Sequence, residues 1–510
     1  MKMLMKSKLI RGFSAFAIAG LLIGCPSGDD HDHDEDAGTT PAADAGTTPV
    51  EDAGTTTPEA PTTYEFAHMG GGEGSSVSNT GQIHRQALIS AMKAWMGGLT
   101  DQANAGNATR QDVLDAFNFY YEYDPAVGAE MPHGLVFRLP ALQTNWGDIS
   151  SKSLKGKLAG NDPKTDHRCW DPQSPKASEN PNCAEGESHF NGWIGASSPA
   201  ALINVWAELL ANYAQERSTG GTLPVNPITN EPVDKVFLND QGHDLQQLFQ
   251  KFLLGAIGFS QGTDDYLGSD VDGKGLKASN AVADGDSYSP LAHAWDEAFG
   301  YFGAARNFND YTDDEIASKG GREDWKGHHD TNGDGKIDLK TEVNWGHSIN
   351  AAKRDRDSQD SAKTDYTKEA MDHFIAGRYL IQNAGETLTA AEMTTLEGHR
   401  DTIVAAWEKA IAATGVHYIN DCLGDLAADT LPYANYAKHW GELKGFTLGL
   451  QFNPASPVTV ENFIAFHNLL GEAPKLPGQD GFDTYADDLR AARDILAAAY
   501  GFDSANVEGW

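Results

Sequence analysis

The chain has 510 residues, with 73 Asp and Glu against 38 Lys and Arg, and a formal net charge of −35. So acidic a surface excludes nucleic acid and anionic lipid headgroups as partners, and suits water and divalent cations. Removing Lys2, Lys6, Lys8 and Arg11 with a leader would take the charge from −35 to −39.

Those four basic residues precede an apolar run, residues 12–23, that is short for a membrane span. The run ends in Leu22-Ile23-Gly24-Cys25, which resembles a lipobox, the signal cleaved before a cysteine that is then acylated. Residues 1–24 therefore read as a lipoprotein signal peptide and Cys25 as the lipidation site. Pro26 in place of Asp points to the outer membrane, with the periplasmic or surface face left open. Residues 25–63 collapse to Asp, Ala, Gly, Thr and Pro, and Asp-Ala-Gly-Thr-Thr recurs at Asp36, Asp44 and Asp52. Such a composition cannot bury a core and reads as a disordered tether spanning about 30–40 Å. His31-Asp32-His33-Asp34 within it reads as a solvated polar tail.

From Tyr64 onward the pattern is helical. Apolar residues recur at i, i+3 and i+4 over residues 82–99, 198–217, 245–259, 291–302, 364–382, 390–414, 433–450 and 485–500. Alternating β-branched runs are scarce. Residues 64–510 are thus expected to form an all-α fold, a large helical bundle built on one core or on two packed halves. Long loops are expected over 131–199 and 262–289. In the first, Cys169 and Cys183 sit in a Pro/Asn/Asp-rich stretch, where a disulfide in an oxidising compartment would contribute about 3 kcal/mol. Zinc shared with His167 and His189 is the alternative, weakened because there is no CxxC pair. Cys422 is left as a buried free thiol.

Three local patterns bear on chemistry. Gly258-Phe-Ser260-Gln-Gly262 fits the Gly-x-Ser-x-Gly nucleophile elbow, but that chemistry needs a strand before the serine, and a helical pattern precedes it here. His293 with Asp296 and Glu297 places imidazole and carboxylates on one helical face, and His439 with Glu442 repeats the arrangement. Pairs of this kind from two helices are how bundles assemble metal sites, so iron or another transition metal, or a polar ligand, is expected between them; ordinary core pairing is the alternative. Finally, Asp330-Thr-Asn332-Gly-Asp334-Gly-Lys336-Ile-Asp338 matches the first nine positions of an EF-hand loop. Calcium would take oxygens from Asp330, Asn332, Asp334, the Lys336 carbonyl and Asp338. The twelfth position is Thr341, so Glu342 is the candidate for the closing carboxylate, one residue late.

Several motifs in order resemble a known bacterial family. They are Gly81-Gln82 with Arg85, Lys251-Phe-Leu-Leu-Gly-Ala256 with Gln261, and Trp295-Asp-Glu-Ala-Phe-Gly-Tyr-Phe302. The Asp/Asn/Gly loop follows, then His347-Ser-Ile-Asn-Ala-Ala-Lys-Arg-Asp355, Trp407-Glu-Lys-Ala410 with His417-Tyr-Ile-Asn420, and Leu450-Gln-Phe-Asn-Pro454. The set is similar to domain of unknown function 4856, from about Tyr64 to the C-terminus. The resemblance implies a helical, exported, often lipid-anchored protein without an established activity. A weaker likeness links it to the imelysin group, envelope proteins tied to iron uptake and marked by Gly-x-His-x-x-Glu. His439 and Glu442 keep the end of that mark, but Ala437 replaces its glycine, while Leu291 and Asp296 depart from it around His293.

These features predict a binding protein rather than an enzyme: a calcium-stabilised lipoprotein that engages a metal or metal-bearing ligand, with an envelope uptake or receptor partner. A hydrolase using Ser260 or the His/carboxylate pairs, and an adhesion scaffold, are the alternatives.

Overall fold

The computed structural model describes residues 61–510. The leader, Cys25, the His31–Asp34 cluster and almost all of the tether lie outside the described residues. Within them the fold is all-α, and backbone pairing outside helices is limited to isolated bridges. Helices of six or more residues are numbered here: α1 Thr80–Asn104, α2 Arg110–Tyr121, α3 Pro199–Thr219, α4 Leu245–Leu253, α5 Pro290–Phe302 and α6 Gly346–Arg356. The second half adds α7 Tyr366–Asn383, α8 Ala390–Ala427, α9 Tyr433–Thr447, α10 Val460–Leu470, α11 Tyr485–Tyr500 and α12 Ser504–Gly509.

Local chemistry sets many of the ends. Ser198 and Ser289 cap α3 and α5 through their hydroxyls, each followed by a proline at the first helical position. Both helices end on a left-handed glycine, Gly220 (φ 71°) and Gly303 (φ 90°). Thr389 and Glu392 form a capping box at the head of α8. The 38 residues of α8 make it the spine, packed along α6, α7, α9 and α11. Buried apolar side chains join into one continuous cluster from Tyr64 to Trp510, so the described residues share one core rather than two halves. Seven tryptophans, among them Trp206, Trp295, Trp407 and Trp440, are fully buried in it. No described helix is long and apolar enough to cross a membrane.

Two segments depart from the periodicity. The first is α6, whose buried face carries His347, Ser348, Asn350, Lys353, Arg354 and Asp355, so no apolar stripe announces it. The second is α4, which does not stop at residue 259. It runs on through π-helical turns, Leu254–Phe259 and Gln261–Tyr266. Part of the loop expected from residue 262 is therefore helix. At its start Gly255 crosses Gly449 so closely that a Cβ on Gly255 would lie 2.8 Å from the Gly449 Cα. Inside this segment Ser260 is wholly buried and is preceded by helix, so the strand–turn–helix that a nucleophile elbow requires is absent there. In the long loop before α3, Cys169 and Cys183 are bonded to each other, and Cys422 is buried and free.

Candidate functional site

The π-helical extension, the head of α1 and the head of α5 enclose a cleft of about 540 Å³, within the size range of small-molecule sites. π-turns recur at functional sites because they push side chains out of helical register, and here the second one brings Asp265 and Tyr266 to the wall. His293 and Glu297 of α5 form the facing wall, and the loops before α3 and α5 supply Lys152, Lys157 and Lys274. Arg85 of α1 completes it. Four cations thus line the cleft against two carboxylates, a local reversal of the sign of the whole chain.

These charges are unevenly partnered. Lys157 pairs with Asp162 at 3.0 Å and with Asp265 at 3.4 Å, and lies over the Tyr266 ring. Burial opposes its charge, but Asp265, Tyr301 and Asp162 outweigh it and hold the ammonium above its usual range. The Asp265 carboxyl is pushed up by burial, with Lys157 opposing. Arg85 is 6% exposed, donates Nε to the Ser153 carbonyl at 2.8 Å and Nη1 to the Gly81 carbonyl at 3.3 Å, and has no carboxylate partner among the described residues. Lys152 and Lys274 are exposed and form no ion pair there.

His293 donates Nδ1 to the Ser78 carbonyl at 3.1 Å and stacks on Tyr288. That bond leaves the neutral ring a lone pair on Nε2, which lies 3.7 Å from Glu297 Oε2. The other Glu297 oxygen accepts from Gln82 Nε2 at 2.6 Å. Asp296 does not share this face. It is fully buried on the core side, accepting from Arg378 Nε at 2.9 Å, Tyr64 Oη at 2.8 Å and the Ser78 amide at 3.0 Å. One residue of helix, about 100° of rotation, separates the cleft wall from the core.

The second His/carboxylate pair is elsewhere. His439 Nδ1 bonds Asp425 at 2.7 Å, and its Nε2 lies 4.0 Å from Asp421, which also pairs with His417 at 3.3 Å. Burial lowers the affinity of His439 for its proton, but Asp425 and Asp421 more than restore it, and its pKa is raised. Glu442 is buried against Lys251 at 3.2 Å; burial works against its charge, but Lys251 leads the cations that hold it at about 2. The two pairs share no partner, and only the first borders the cleft. Among the described residues no group of three His, Cys, Asp or Glu side chains is arranged to hold a metal ion. His167 lies against Asp264 and Asp270, not beside a free thiol.

The Asp/Asn/Gly loop is compact. Asp330 accepts the amides of Gly333 and Gly335, both at 2.8 Å, with Gly333 and Gly335 at φ 73° and 78°. Asn332 and Asp334 accept the amides of Asp334 and Lys336. Desolvation pulls Asp330 upward, but the amides of Gly335, Gly333 and Asp334 hold it below the usual carboxylate range. Glu342 closes the loop from behind: one oxygen accepts the Thr331 amide and hydroxyl, the other the Asp338 amide. Asp338 itself accepts from Gln143 Nε2 at 2.9 Å, tying the loop to the segment before α3.

The described residues are thus helical throughout their regular structure, with one preformed cleft walled by α1, α5 and the π-helical segment. The family described as "Domain of unknown function (DUF4856)" matches residues 204–325. That segment runs from within α3 to just before the Asp/Asn/Gly loop, and contributes Asp265, Tyr266, Lys274, His293 and Glu297 to the cleft; Arg85, Lys152 and Lys157 lie outside it. Neither a curated protein nor a solved structure matches the chain.

The sequence singled out His293 and Glu297 by spacing and Arg85 by the family resemblance, but not the lysines. A signal for them exists: Lys152, Lys155 and Lys157 fall within six residues of a strongly acidic chain.

Proposed function

We propose that this is a lipid-anchored envelope protein, held at the outer membrane through Cys25, that binds a metal-bearing ligand in the cleft between α1, α5 and the π-helical segment. The observation carrying this reading is that His293 and Glu297 meet on the cleft wall with a ring nitrogen left for a ligand. Two side chains are too few to hold a bare transition ion, which takes three or four protein donors, so the remaining ligands would arrive with the metal. His439, Glu442 and Asp296 are core ion-pair residues in this reading and take no part in binding. Calcium in the 330–342 loop would stabilise the fold, using the lone pairs left on Asp330, Asn332 and Asp334 and the Lys336 carbonyl. Its supports are the ligand spacing and the turn already shaped around Asp330, while Glu342 acts as a latch between the ends of the loop. The burial of Ser260 favours binding over serine hydrolysis.

The test is metal analysis of the full chain purified anaerobically without chelator. Retained iron or zinc should fall about tenfold or more in His293→Ala and in Glu297→Gln. His439→Ala should leave metal content unchanged and lower stability. Wild-type protein that retains no transition metal, and takes none up when titrated with a zinc or ferric chelate, would refute the metal-bearing ligand.

A further inference from the structure

The charges around the cleft also define its occupant. Resting on the reading that the cleft is the ligand site, but not on any metal there, we infer that it takes a small organic oxyanion with two negative charges. The anionic group would sit on Arg85 and the organic body against Tyr288.

Arg85 carries the argument. Arg85, a residue only 6% exposed whose guanidinium is bonded to two backbone carbonyls and has no carboxylate partner among the described residues, brings an unpaired charge to the cleft wall. Its planar fork of remaining N–H groups suits a carboxylate or phosphoryl group, which accepts two parallel bonds. The acids at hand are otherwise engaged, Glu297 by Gln82 and His293 and Asp265 by Lys157. Lys152 folds over Gly81, where an added Cβ would lie 3.0 Å from the lysine Cγ, so it stands beside the glycine whose carbonyl holds Arg85. Lys274 borders the cleft on the loop after the π-turns. With Lys157 taken up by Asp162 and Asp265, Arg85, Lys152 and Lys274 are the lining cations that form no ion pair among the described residues, and together they favour a ligand with more than one negative charge. A cleft of 540 Å³ exceeds what a bare inorganic oxyanion fills, and the half-buried Tyr288 on its wall offers apolar surface for a carbon skeleton.

Isothermal titration of the full chain in detergent, first passed over a chelating resin, separates the outcomes. Glucose 6-phosphate and succinate probe the two sources of such an anion, with inorganic phosphate and glucose beside them. At least one of the two organic dianions should bind one to one, more tightly than inorganic phosphate, and glucose should not bind. Lys152→Ala/Lys274→Ala, which changes only exposed side chains, should weaken that binding by about tenfold. Arg85→Gln should abolish it. Binding of glucose 6-phosphate alone assigns a phosphate ester, and of succinate alone a dicarboxylate. No dianion binding at millimolar concentration, or equal binding by the double-lysine variant, overturns the inference. His293-dependent uptake of a zinc or ferric chelate without dianion binding would sink this inference and leave the metal reading standing. Dianion binding with no metal affinity would do the reverse.

Discussion

Asp296 and Arg378 provide the sharpest test of what is scaffold and what is site. The pair is wholly buried at 2.9 Å, and Asp296 also receives the Tyr64 hydroxyl and the Ser78 amide, fastening the segment before α1 to α5. Asp296→Ala leaves the Arg378 guanidinium in the core with its other partners, Ser76 and Gln382, and no carboxylate. Uncompensated buried charges of this kind cost about 3–5 kcal/mol. At roughly 2 cal/mol/K of unfolding entropy per residue, a chain of this size should then melt about 3–5 °C lower. Circular dichroism melts and urea titration measure the loss, and a double-mutant cycle completes the test. Asp296→Leu/Arg378→Met should recover most of the stability, because paired removal abolishes the orphaned charge. Cleft binding should weaken far less than in His293→Ala, because Asp296 reaches the cleft only through Ser78, whose amide it accepts and whose carbonyl accepts from His293. An Asp296→Ala protein that melts normally but no longer binds metal or dianion would refute this assignment and return Asp296 to the site.

Lys444 is fully buried beside Trp193 and Trp440, and burial lowers its pKa from 10.5 to about 8, with Glu472 opposing. Its folded pKa lies below the unfolded one, so stability should rise between pH 8 and 10.5 by about 3 kcal/mol, and Lys444→Met should lack that slope in urea titrations. Terbium added to the chain should luminesce on indole excitation through Trp325 or Trp345, and calcium should compete it away. At a hundredfold excess over its dissociation constant, calcium should add about 2.7 kcal/mol of stability; an unchanged terbium signal in Asp330→Ala and Asp334→Ala would remove the ion from this loop. Cys25→Ala should leave the protein unprocessed or release it from the membrane fraction. A variant that still floats with outer membranes and carries acyl chains would end the lipoprotein reading.

Composition and periodicity determine the class of fold, because a stripe of Ala, Leu and Trp at helical spacing can be buried in only a few ways. They located eight of the long helices, and Asp330 to Asp338 announced a tight acidic turn from spacing alone. Helix α6 stayed hidden because its buried face is polar, and such residues are satisfied only by partners distant in sequence, as Asp355 is by the amides of Tyr366 and Thr367. The π-turns were equally illegible: they begin beside the close crossing of Gly255 and Gly449, nearly two hundred residues apart in the chain. Spacing put His293, Asp296 and Glu297 on one helix, yet only the packing of Arg378 and Tyr64 against one side made Asp296 core and left the other two at the cleft. Likewise, His439 and Glu442 matched the first pair in pattern, but Asp425 and Lys251 took them up. Arg85 carries no sign in the sequence that its counter-charge is missing. A charge becomes a binding determinant through what surrounds it, and only the tertiary structure assembles those surroundings.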